Sequence, residues 1–136
     1  MLNSILGLIS AWRYCAVGNQ KMKVIKLEEV KVESTEGGIF TGAVGIQRIT
    51  GADALIDSKD LSISIVSFPK GIHNTFHTHE QDQLLWILSG KGTVATEKEE
   101  IAATPGMAFF IPAGERHWHG ATKESDFSHI SIIGRK

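Results

Sequence analysis

With 136 residues, 42% of them hydrophobic, the chain is long enough for one domain to bury a core, and its 14 glycines supply turns. Its 14 lysines and arginines stand against 15 aspartates and glutamates, a formal charge of −1, and no basic run or stripe could hold a phosphate backbone, which argues against nucleic acid as a partner. The single cysteine, Cys15, excludes an internal disulfide and a thiolate cluster and fits a reducing, cytoplasmic compartment.

The first 20 residues, MLNSILGLISAWRYCAVGNQ, differ in character from the rest of the chain, so residues 1–21 are set apart as a leader or extension from one domain over residues 22–136. A secretory signal places its basic residues ahead of the apolar run, whereas here Arg13 comes after it. The run also falls short of the roughly 20 residues of a spanning helix, and no membrane association is expected. Met22, with KVIKLEEVKVES directly after it, has the look of a natural start. A translated leader would lie as a short amphipathic helix on the domain or at a subunit contact.

Lys23 to Val32 alternates apolar with charged residues and predicts an edge strand whose lysines and glutamates face water. Glu36-Gly37-Gly38 ends it. Ile39 to Thr50 is β-rich, with glycines that permit bends, and residues 51 to 60 form a polar connection. Leu61 to Phe68, LSISIVSF, alternates apolar residues with serine as a half-buried strand does. Between Gly71 and Gly90 the pattern turns His77, His79, Gln83, Leu85 and Ile87 inward and Leu84, Trp86 and Leu88 outward, with a turn at Glu80-Gln81-Asp82. Ser89 to Gly92 turns the chain again, and Thr93 to Thr96 leads into the charged loop Glu97 to Glu100. Thr104-Pro105-Gly106 opens the apolar run Met107 to Ile111, Pro112-Ala113-Gly114 sets the approach to His117, and Phe127 to Ile133 closes the domain. Short strands at regular turn signals, without a long helical period, predict an all-β antiparallel sandwich or barrel.

All six histidines lie beyond residue 72. In an extended segment His77 and His79 leave the same face, roughly 7 Å apart at the backbone, and two imidazoles can converge on one ion. His117 supplies a third nitrogen if its stretch forms a strand beside the first. His119, two residues on, shares that face; it either touches substrate and moves a proton near neutral pH or is a hydrogen-bonded structural histidine. The same two roles are open to His129, while His73 suits an exposed or capping position. Phe76, Trp86, Phe110 and Trp118 wall a pocket or belong to core and interface; Arg48 and Arg116 bind a carboxylate or are solvated.

The joint spacing resembles a known family. Gly71, His77-x-His79, Gln83 and Gly90 are similar to the first cupin motif, with an amide in place of its usual carboxylate. Gly106, Pro112-x-Gly114 and His117 are similar to the second, with Ala121 where an Asn is usual. The phrases HWHGA and SHISI further resemble a subgroup of small single-domain cupins, some of which accompany carboxymuconolactone decarboxylase-like domains. The resemblance implies a double-stranded β-helix (jelly-roll) barrel and a homodimer paired through its N-terminal strand. It also implies a divalent metal ion (Fe, Mn, Ni or Zn) on His77, His79, Gln83 and His117. Those ligands are all neutral, so the ion would keep its full charge and favour an anionic substrate oxygen. The implied function is an enzyme acting on a small oxygen-rich organic acid or related metabolite, as a dioxygenase, isomerase, decarboxylase or lyase, with His119 and His129 as acid/base candidates. The alternative is a non-catalytic small-ligand-binding or sensor domain with a structural metal.

Overall fold

Period-two alternation makes the strands, and what each face meets decides their placement. A computed structural model describes residues 22–136; the leader, its helix expectation and Cys15 lie outside the described residues. The strands are β1 (Glu33–Thr35), β2 (Val44–Thr50), β3 (Leu61–Phe68), β4 (Gln83–Gly90), β5 (Gly92–Thr96), β6 (Glu100–Ala103), β7 (Ala108–Ile111), β8 (His117–Ala121) and β9 (Phe127–Gly134). They form a six-stranded sheet in the order β1-β2-β3-β9-β4-β7 and a three-stranded sheet in the order β6-β5-β8. Every pairing is antiparallel, as an all-β jelly roll requires.

The core lies between the sheets. Phe68, Leu85, Ile87 and Phe127 of the larger sheet and Val94, Ala103 and Ala121 of the smaller are buried in one cluster, each large side chain contributing about 1.5–3 kcal/mol. Leu85 and Ile87 face inward and Trp86 is half exposed, as the alternation predicts. At Gly90, where φ is +76°, a side chain would collide with the Asp126 carbonyl, so the β4–β5 turn can close against β9 only with glycine.

Two expectations need correction. Lys23 to Val32 is not a strand: a 3₁₀ turn spans Leu27–Glu29 and extended pairing begins only at Glu33. Among the described residues it pairs with no strand, and its apolar positions are mostly exposed, Val24 at 84%, with only Val30 buried. The Gln47 side-chain amide donates to the carbonyls of Leu27 and Val30 at 3.0 and 2.9 Å, which holds the turn instead. Glu100, placed in the charged loop Glu97 to Glu100, instead opens a strand to Ala103 that pairs with β5 as an edge and buries Ala103 alone.

β3 has its faces arranged in an unexpected sense. Ser62, Ser64, Val66 and Phe68 pair across the sheet with Ile133, Ser131, His129 and Phe127, so the serines share the inner face with buried Val66 and Phe68. The isoleucines lie on the other face, where Ile65 is nonetheless buried. Polar residues on an inner face call for a polar interior, and that is where the histidines lie.

Candidate functional site

The histidines come from two segments joined by backbone hydrogen bonds. Residues 72–77 lie along β8: Ala121 donates to the Ile72 carbonyl (2.9 Å), Asn74 to that of His119 (2.9 Å), and His77 and His117 exchange both bonds (2.9 and 3.0 Å). A Cβ on Gly120 would overlap the backbone of His73, so glycine there permits the approach. His73 pairs with Gly120 and His77 with His117, four residues on one side against three on the other. Asn74 absorbs the extra residue. Its Oδ1 accepts the N–H of His119 at 2.7 Å in place of a backbone carbonyl, and the side chain is 1% exposed. The slip sets His77 opposite His117, where paired side chains share a face.

Ligand-capable atoms of His77, His79 and His117 lie within 4.8 Å of one another. The rings are 4.4 Å (His77–His117), 4.9 Å (His77–His79) and 5.4 Å (His79–His117) apart. His77 donates from Nδ1 to the Thr75 carbonyl at 2.7 Å, and His117 from Nδ1 to the Glu115 carbonyl at 2.8 Å. When each ring is neutral, those bonds leave the Nε2 lone pairs free, the second-layer arrangement typical of metal-binding histidines. Gln83, at the start of β4, donates its amide N–H to Ser131 Oγ (2.9 Å), which turns its Oε1 to 3.2 Å from His117 Nε2. Two acceptors then face each other. His79 Nε2 is buried without a partner among the described residues. Burial, then the neighbouring His77 and His117, pushes the His79 pKa down to about 4 against the pull of Gln83; burial lowers His117 likewise. Converging lone pairs with no proton to share make a donor set that could hold a divalent cation.

Beside the triad stands a second pair. His119 lies 14° from parallel with His117 at 5.9 Å, and its Nδ1 is 3.1 Å from Nε2 of His129. The Phe68 ring packs 5.8 and 5.7 Å from the two imidazoles. Burial in that apolar setting holds His119 well below 6.5, helped by His129 and the triad, and brings His129 to about 4. Both are neutral at pH 7.

These groups open on a cavity of about 160 Å³, lined by His77, His79, Gln83, His119, His129, Asn74, Ser64, Ser131 and Arg48, with Ile39, Phe40, Ile46 and Val66 as apolar wall. A larger hollow of about 400 Å³, around Gly45, Ser67, Pro69 and Ser128, contains no histidine. The aromatics singled out from the sequence do not line the cavity: Phe76, Trp86 and Phe110 are exposed, and Trp118 packs 5.2 Å from His73. His73 donates from Nδ1 to the Asn74 carbonyl at 2.9 Å, and its backbone N–H donates to Thr41 Oγ1 at 3.1 Å. Arg116 is taken up by Glu97 at 2.6 Å and by the face of Phe76. Asn74, Ser64 and Ser131 were not singled out. Period two from His129 already turns Ser131 to the same side, whereas nothing local marks Asn74.

Fold and site define a small β-barrel with a histidine cluster inside. Residues 64–133 match the family described as Cupin domain, and the chain belongs to it. It is 33% identical over 102 residues to the (R)-mandelonitrile lyase of Granulicella tundricola, covering 71% of this chain and 72% of that one. Among solved structures it is similar to a cupin-like protein from Thermotoga maritima, at 25% identity over 74% of each chain with a TM-score of 0.67. The polyketide cyclase RemF from Streptomyces resistomycificus shares the fold at 16% identity, with a TM-score of 0.74 over 85% of this chain and 81% of that one.

Proposed function

We propose that the protein is a metal-dependent enzyme acting on a small oxygen-bearing metabolite, and that its reaction is the cleavage of a 2-hydroxy compound. The observation that carries this is the convergence of His77, His79 and His117, whose ligand-capable atoms lie within 4.8 Å of one another, with His79 Nε2 buried and unpartnered among the described residues. A divalent ion on His77, His79, Gln83 and His117 would satisfy all of them and, when bound, supply Lewis-acid polarisation of a substrate oxygen. The likeness to a mandelonitrile lyase supports a lyase over the other cupin reactions.

His119 and His129, neutral and adjacent, suit the proton work. One imidazole takes the hydroxyl proton of the substrate. The C–O bond becomes C=O as the neighbouring carbon bond breaks, its electron pair leaves with the departing group, and the imidazolium returns the proton to that group. Ser64 and Ser131 offer hydroxyls to orient the substrate, and the apolar wall limits water. A cytoplasmic setting belongs to the same reading.

Elemental analysis of the purified protein, with lactonitrile and mandelonitrile as first substrates, tests it. His77→Ala is expected to lose the ion and at least 100-fold of the turnover together. Tight ligand binding with no turnover under any metal would return the protein to the binding-module alternative.

We also propose a homodimer. The outer face of the larger sheet supports it: paired positions Ile63, Ile132, Leu84 and Phe110, with Ile130 and Trp86 beside them, form a continuous apolar strip, and Trp86 and Phe110 are 50% and 64% exposed.

A further inference from the structure

We infer that Arg48 selects for a carboxylate, so that the preferred ligand is a small 2-hydroxy acid rather than a neutral alcohol. This rests on the cavity being the substrate site, and not on which bond is broken there.

Arg48 is paired with Ser64 and Ser64 with Ser131, so the three stand in a row across the inner face of the larger sheet, ending at the serine that orients Gln83. At about 4.8 Å between strands, the backbones of Arg48 and Ser131 are about 10 Å apart. An arginine side chain and a short acid fill that span together. The cavity has room for about five waters at ~30 Å³ each, the size of a three- or four-carbon acid.

Charge points the same way. Among the described residues, Arg48 is the one formally charged side chain lining the cavity, and no carboxylate lines it. Three histidines and an amide would leave a divalent ion its full charge. With such an ion held, the cavity would be positive, Arg48 being offset only in part by Glu33 outside it, and an anionic ligand would supply the balance. Glu33 approaches Arg48 only at Nε, at 3.4 Å, with both side chains about half exposed. The two terminal nitrogens have no other partner among the described residues and keep the planar fork that matches a carboxylate. Arg48 also borders an outer cleft of about 220 Å³ where Glu29, Glu33 and Asp53 outnumber the one other cation, Lys31. The excess of acidic groups there disfavours an anion, so a carboxylate on Arg48 settles on the histidine side.

The test is calorimetric titration of the full-length, metal-loaded protein with lactate and with isosteric, neutral lactamide. The wild type is expected to bind lactate at least about tenfold more tightly. Arg48→Met brings the two affinities within about twofold by weakening lactate far more than lactamide, and Arg48→Lys keeps an intermediate preference. Arg48 is half exposed, so both variants are expected to melt within a few degrees of the wild type. A preference that survives in Arg48→Met, or a wild type that binds neither compound, overturns the assignment. If the preference collapses in Arg48→Met but no 2-hydroxy compound is cleaved, the assignment stands and the enzymatic reading falls. If nitriles are cleaved and the preference does not collapse, the reverse holds.

Discussion

His129 shows what a buried imidazole does to the whole chain. It is 0% exposed, Nδ1 has no partner among the described residues, and burial has taken its pKa down to about 4. In the unfolded chain it titrates near 6.5. As pH falls below 6.5 the unfolded state takes up a proton that the folded state refuses, so stability is full above 6.5 and is lost down to about pH 4. For His129 alone the loss is about 3 kcal/mol across that window. Urea unfolding at pH 7.5 and 4.5 reads this loss together with those of His79, His117 and His119, and His129→Gln is expected to reduce the pH dependence by the His129 share. A midpoint that ignores pH in the wild type would refute this account of the site. The residue-level chemistry was partly legible in advance: His77, His79 and His117 were identified from spacing, and Gln83 from the cupin motif. Which lone pairs point inward was not, because the Thr75 and Glu115 carbonyls that set the ring tautomers are backbone groups, invisible in residue identity.

Among elements, the segment before β4 is the one whose placement matters most, and it is no regular strand. Its pairing with β8 slips by one residue, and Asn74 closes the gap by accepting the His119 N–H. Asn74→Ala leaves that N–H buried and unsatisfied, at a cost of about 1–3 kcal/mol. Denaturant unfolding should show the loss, and elemental analysis should show less metal retained, because His77 would no longer be held opposite His117. An Asn74→Ala protein with wild-type stability would mean that the slip is held by the backbone alone. No spacing rule could have found this, since it depends on how two segments about 45 residues apart line up. The strand spans were easier. LSISIVSF revealed its limits through alternation, but alternation is symmetric between faces, and only the site explains why the serines point in. Lys23 to Val32 misled for a related reason: it alternates like an edge strand, yet no partner strand reaches it, and Gln47 anchors a turn.

At the scale of the molecule, the outer face of the larger sheet carries exposed apolar side chains among the described residues. Trp86 and Phe110 stand out from the six-stranded sheet amid isoleucines, a surface expected against a second copy rather than water. Sedimentation should give twice the chain mass for the wild type, and Trp86→Glu with Phe110→Glu should give a monomer that keeps its fold. A wild type that sediments as a monomer at micromolar concentration would remove the dimer from the proposal. The position of the four candidate ligands has a mechanical side as well. Gln83 belongs to the larger sheet, His117 to the smaller, and His77 and His79 to the strap between them. An ion held by all four would act as a clasp across the sandwich, and stripping it with a chelator would loosen the two layers from each other. The melting temperature of this barrel thus doubles as a gauge of how full its clasp is.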